Sequence, residues 1–293
     1  MRATPVPAIA AAGTSIQSAI ARASTKTGVD FNYLLGQAQI ESGMRTNARA
    51  RTSSATGLYQ FIEQSWLGVV KRHGAEHGLG WAADSIRQTP GGRYVVGDAG
   101  TRRAILSLRT DPQAASIMAA EHASDNKGTL EATLGREATG TDLYMAHFLG
   151  IGGAKRFLSA MQASPDRGAA GMFPAAARAN RSIFYTSDGG QRSLGEIYQR
   201  FAGKLDRGAA VAGAQGSASG GYAVDLPARS FPGVEVILGT EAQGDDGNWL
   251  ETTMANLNVV RGHRTADAQR INTLRPTPET ARLAYLMLAG LGA

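Results

Sequence analysis

The sequence contains no cysteine, which excludes disulfides and thiolate metal sites alike. Its five histidines are scattered and show no HExxH-like spacing, so neither a metal nor any other cofactor is expected. No stretch approaches the roughly 20 consecutive apolar residues of a membrane-spanning helix, and no membrane span is expected. The opening MRATPVPAIAAAGTSIQSAI holds only a short alanine-rich run after one Arg and two prolines, and falls short of the apolar segment of a secretory signal. Strand patterns are sparse. No recognised nucleic-acid-binding motif is present, which leaves nucleic acid a poor candidate partner.

The composition that remains, 43% hydrophobic and 18% charged over 293 residues, is that of an ordinary globular chain able to bury a core. Lys and Arg are scattered rather than blocked, yet they leave a net charge of +6 and a pI near 9.8. That balance favours an anionic partner, with anionic lipid and cell-wall polymer both open on charge alone.

The first two thirds read as successive helices. Ile16, Ala19, Ile20 and Ala23 repeat at helical spacing up to Gly28, and Asp30 is the expected N-cap of a helix from Phe31 to about Ser42. Trp66, Val69, Val70 and His73 repeat the spacing up to Gly74. Residues 78 to 100 are broken by glycines and one Pro, predicting an exposed loop with a small hairpin around Tyr94 to Val96. Asp111-Pro112 reads as N-cap and first position of a helix whose inner face holds Ala114, Ile117, Met118 and Glu121. Polar neighbours of Glu121 suggest a helix end or cleft rim for it. Thr141 is the expected cap of the next helix, and a further one is expected from Ala154, beyond Gly152-Gly153. Ser193 and Glu196 have capping-box spacing ahead of Leu194, Ile197, Tyr198, Phe201 and Leu205.

This pattern predicts a mainly α domain over residues 1–206, a flexible Gly/Ala/Ser linker over 207–224, and a tail over 225–293. The tail is expected to be extended or disordered, except for a helix at about 278–289 opened by Thr277 and Pro278.

Glu41 in LLGQAQIESGM invites a chemical reading. It lies seven residues after Leu34 and three after Ala38, and so projects from the face those residues bury. Burial disfavours the charged form of a carboxyl, which is how a glutamate becomes a general acid near neutral pH. In GLYQF, Gly57 to Phe61, a Gln amide able to bond sugar hydroxyls stands beside two aromatic rings able to pack on a sugar face. MAHFLGIGG, from Met145, is glycine-broken and lets backbone approach a ligand closely. Arg45, Arg49 and Arg51 read as a solvated basic loop. Asp84, Asp98 and Asp111 do not read as a second catalytic carboxylate.

In this order, over roughly residues 13 to 205, these segments resemble the catalytic domain of soluble-type lytic transglycosylases, relatives of goose-type lysozyme. That family carries a Glu-Ser pair ending a helix, a Gly-Leu-Met-Gln-type motif, an Ala-Tyr-Asn-x-Gly motif and a late tyrosine lining the cleft. Glu41-Ser42 match the first, and Gly57, Leu58 and Gln60 the second, with Tyr59 in place of Met. The third is matched only at Ala146 and Gly150, His147 and Phe148 standing where Tyr and Asn are expected. Tyr185 is the favoured late tyrosine, because Tyr198 is explained by the core stripe.

The resemblance implies a lysozyme-like helical domain with a substrate cleft, no cofactor, and cleavage of peptidoglycan between N-acetylmuramic acid and N-acetylglucosamine. Glu41 would be the acid and base; Ser42, Gly57, Tyr59, Gln60, His147 and Tyr185 would line the substrate. Alternatives are hydrolysis of the same bond by water, and a weak or inactive glycan-binding component of an envelope machine. Such a substrate implies the periplasm or cell envelope, and makes the 225–293 tail a candidate contact for a secretion, flagellar or pilus component.

Overall fold

The computed structural model describes residues 8–50 and 53–220, and they are mainly helical. The expected tail over 225–293, its terminal helix and Arg51 lie outside these residues. Helix α1 (Ala8–Thr27) packs along α6 (Pro112–Leu134), and α2 (Phe31–Ser42) along α10 (Leu194–Val211); α7 (Gly140–Ala163) lies against both α6 and α10. Helix α3 (Glu63–His73) leads into a 3-10 turn (Gly74–His77), then α4 (Gly80–Ser85), a hairpin of β1 (Ile86–Gln88) and β2 (Tyr94–Val96), and α5 (Ala99–Ser107). The two strands pair antiparallel, Arg87 opposite Val95. Short α8 (Pro174–Ala179) and α9 (Arg181–Phe184) precede α10. No described helix is long and apolar enough to cross a membrane.

Several helix starts follow from local chemistry. Asp30, Asp98 and Asp111 accept from backbone N–H groups of the first turns of α2, α5 and α6, as N-caps do. Ser193 and Glu196 form the expected capping box. The expectation for α7 needs correcting: Thr139, not Thr141, is the cap, in a second capping box with Asp142. Thr141 is buried instead, because its N–H and Oγ1 both donate to Ser219 O, at 2.9 and 3.1 Å. The further helix expected beyond Gly152-Gly153 is present but starts earlier: α7 is two helical stretches joined across a kink at Gly150, whose φ of 70° and ψ of 160° only glycine adopts readily, and the second stretch runs to Ala163. Glu121 stands mid-helix, since α6 continues to Leu134.

The segment that composition marks as a linker from residue 207 is partly built into the domain. Helix α10 extends to Val211, and Asp206 then gathers residues 217–219. Its Oδ1 accepts from Ala218 N at 2.8 Å, Ser219 N at 2.9 Å and Ser217 Oγ at 3.0 Å, while Oδ2 accepts from Ser219 Oγ at 2.8 Å. Small residues permit this closeness: a Cβ on Gly140 would stand 1.9 Å from Ala218 O. Burial alone would raise the Asp206 pKa, but the hydrogen bonds from Ser219, Ala218 and Ser217 hold it below the ordinary 3.8. A depressed folded-state pKa means that this stabilisation is present above the ordinary carboxyl range and is lost as pH falls through the folded value. Asp206→Ala is therefore expected to accelerate amide exchange at Ala218 and Ser219 at neutral pH, whereas the parent protein loosens there only below pH 3.8. Equal exchange in the two proteins at neutral pH would show that Asp206 does not hold the segment.

Candidate active site

Helix α2 delivers Glu41 at its last turn. Gly43 ends the helix in the left-handed region, φ 61°, with its N–H on Gln39 O at 2.9 Å, and Met44 follows at φ 62°. The chain thus leaves the helix axis directly after Glu41-Ser42. The Glu41 side chain is only 5% exposed. Its Oε1 accepts from the Tyr144 hydroxyl at 3.1 Å and lies 3.5 Å from His147 Nε2.

Tyr144 and His147 are three residues apart on α7 and so share one face of it. Their rings lie 5.9 Å apart, and the Tyr144 ring also meets Phe201 of α10 edge-on at 5.4 Å. Burial first, and then the Glu41 charge and hydrogen bond, push the Tyr144 phenol well above its ordinary range, so it donates to the carboxyl rather than ionising. Phe148 faces the other way, into the core against Phe201 and Phe184. Of the two residues that depart from the expected motif, one therefore meets the acid and the other fills the interior. The Gly150 kink interrupts α7 three residues beyond His147.

The loop after α2 returns on itself. Gly57 N donates to Ala48 O at 2.8 Å, and the Gln60 Nε2 donates to Ala48 O at 3.2 Å and Gly57 O at 2.8 Å. Short bridges join Arg49 to Thr56 and Thr56 to Phe61. The clamp on this loop is Arg109, buried in the turn (Leu108–Thr110) before α6, whose NH1 donates to Ser54 O at 2.7 Å and Phe61 O at 2.9 Å. Burial lowers the Arg109 pKa to about 10, against a pull upward from Glu63, and it remains a cation at neutral pH.

The other site residues expected from sequence divide. Ser42 is buried; its hydroxyl donates to Ala38 O at 3.0 Å and accepts from Arg45 N at 3.1 Å, so it shapes the turn under Glu41. Tyr59 is not a cleft aromatic: it lies in the core, where burial raises its phenol pKa, partly countered by the Ser116 hydroxyl of α6. Gln60 spends its amide N–H groups on the loop backbone at a strained φ of 48°. Tyr185 is half-buried with the Arg181 guanidinium 4.8 Å over its ring, and no hydrogen bond among the described residues brings it to Glu41. Its neighbour Phe184 rests on Phe148, on the α7 side of the site. Tyr198 is a core residue as expected, donating to Asp142 Oδ1 at 3.0 Å.

Tyr144 and Arg109 carry roles that the sequence did not announce. The only available signal was that Tyr144 precedes His147 by three residues, about one turn of the expected helix. Chemically, the arrangement is a nearly buried carboxyl with one oxygen held by a phenol and flanked by an imidazole. Asp142, among the described residues the only carboxylate in the set of buried polar and charged side chains, is committed to Arg136, Thr139 and Tyr198. No known family model matches the chain.

Proposed function

We propose that the protein is a lytic transglycosylase with a lysozyme-like domain, cleaving the β-1,4 bond between N-acetylmuramic acid and N-acetylglucosamine in peptidoglycan. The observation that carries this is the Glu41 carboxyl, 5% exposed at the end of α2 and held at Oε1 by Tyr144. A pair of carboxylates is the usual equipment for glycoside hydrolysis, and the described residues place no second carboxylate in contact with Glu41. One carboxyl suffices when the substrate supplies its own nucleophile.

In the proposed reaction, protonated Glu41 gives its proton to the glycosidic oxygen as the anomeric C–O bond breaks, and the muramyl 2-acetamido group stabilises the developing positive charge. The carboxylate then takes the proton of the same sugar's 6-hydroxyl, whose oxygen bonds to the anomeric carbon. Glu41 is regenerated, a 1,6-anhydromuramyl end forms and no water is consumed. Among the described residues both polar partners of the carboxyl meet Oε1, which leaves Oε2 to carry the transferred proton. The substrate class places the protein in the cell envelope and suits its net charge of +6.

His147 favours a second reading, hydrolysis of the same bond, because an imidazole beside the carboxyl can orient a water. Digestion of purified sacculi followed by mass spectrometry of the muropeptides separates the two. The proposal expects anhydro ends, lighter by one water; reducing ends would replace it with the hydrolytic reading, and no release at all would overturn both.

A further inference from the structure

Where α3 and the turn after it meet α6, charged side chains of three elements come together. Helix α3 ends in Arg72 and His73, the following turn carries Glu76 and His77, and α6 presents Glu121 and Asp125 one turn apart. His73 Nε2 lies 3.0 and 3.1 Å from the two Asp125 oxygens, and Arg72 holds the same carboxylate at 3.1 Å. His77 Nε2 lies 2.6 Å from Glu121 Oε1. His73, Glu76 and Glu121 each offer one ligand atom, and these three atoms all fall within 4.8 Å of one another.

The geometry points to a divalent transition-metal site of the zinc class, with His73, Glu76 and Glu121 as ligands and water completing the shell. His73 Nδ1 and Glu121 Oε2 are 3.6 Å apart, too long for a hydrogen bond. Two ligands about 2.0–2.2 Å from a tetrahedral zinc stand roughly 3.4 Å apart, so the separation fits a shared ion. Asp125 at Nε2 fixes the imidazole proton there and leaves the Nδ1 lone pair for the metal, the carboxylate–histidine–metal relay that orients such ligands. His77 orients Glu121 in the same way through its other oxygen. Three carboxylates face one guanidinium, an excess of two negative charges before the imidazoles are counted, which a divalent cation balances. An imidazole ligand among carboxylates selects a zinc-class ion over calcium or magnesium. Glu121, the residue at first assigned to a helix end, thus gains a role that ties α6 to the turn after α3, independent of the chemistry at Glu41.

The alternative is an ion-pair network with no metal, and Glu76 separates the two. It is exposed and forms no ion pair or side-chain hydrogen bond with the other described residues, so a network without metal does not need it. The full chain is stripped with EDTA, exchanged into ZnCl2 and assayed for bound zinc and for thermal unfolding. The parent protein is expected to retain one zinc per chain with a raised Tm. Glu76→Ala should leave the metal-free Tm unchanged and weaken zinc by at least about tenfold, and Asp125→Asn by about 10–100-fold. Sub-stoichiometric zinc with an unmoved Tm in the parent would overturn the assignment. Zinc binding by Glu76→Ala as tight as the parent's would overturn it equally.

Discussion

Glu41→Gln is expected to lose the release of anhydromuropeptides from purified sacculi by about 10²–10⁴-fold, the usual contribution of a positioned acid–base group. The substitution is well suited to isolate chemistry from folding. A glutamine oxygen can still accept the Tyr144 hydroxyl that now reaches Oε1 at 3.1 Å, and the amide occupies nearly the same volume in a site only 5% exposed. The fold should therefore survive, with thermal unfolding within about 1 kcal/mol of the parent, as for substitutions that neither open a cavity nor bury an unpaired charge. What is lost is the capacity to deliver and then remove a proton. Release at the parent rate would end the proposed role of Glu41, whatever product is formed.

Gly57→Ala should be among the most destabilising single-methyl changes available in the domain. The added Cβ would stand 1.9 Å from Arg109 O and 2.7 Å from Arg109 C, at a φ of 87° that L side chains rarely adopt. Relief is blocked, because the Arg109 guanidinium is pinned to its own turn and to the facing loop. Its Nε donates to Leu106 O at 3.0 Å, and NH1 grips Ser54 and Phe61 on the loop that would have to move. Left-handed strain costs about 1–2 kcal/mol and overpacking against fixed atoms about 1–3 kcal/mol. A sum of about 3 kcal/mol corresponds to a Tm lower by roughly 6–12 °C in a domain of this size. Thermal unfolding by circular dichroism measures it. A fall of less than about 2 °C would mean that the loop and the Arg109 turn separate freely, and that Gly57 is not their point of contact.

The same glycine shows how far a motif can be read. Gly57, Leu58 and Gln60 stand out in sequence as a candidate sugar-binding run, and the structure gives each a local duty. Gly57 lets the backbone of Arg109 approach, Leu58 and Tyr59 fill the core, and Gln60 ties the loop to Ala48 and Gly57. Those duties rest on contacts as far as 52 residues away in the chain, as between Gly57 and Arg109, which one-dimensional spacing does not register.

What the sequence by itself determined is local. Asp30, Asp98, Asp111 and the Ser193–Glu196 pair start helices through hydrogen bonds only two or three residues long, and Gly28 and Gly43 stop them through left-handed backbone. The 3.6-residue period likewise placed Glu41 toward the interior, and its side chain is nearly buried. The tertiary structure alone decided what surrounds it. Tyr144 and His147 reach the carboxyl from 103 and 106 residues further along the chain, and nothing in their own helix distinguishes a core tyrosine from one that donates to an acid. The anchoring of residues 217–219 by Asp206 overrode a composition that reads as flexible, because hydrogen bonds to one carboxylate depend on where the chain returns and not on the residues it is made of. The cluster of His73, Glu76, Glu121 and Asp125 was legible only in half: His73 and Glu76 stand three residues apart in the chain, whereas Glu121 and Asp125 come from α6, and only packing brings the two halves within reach of one ion.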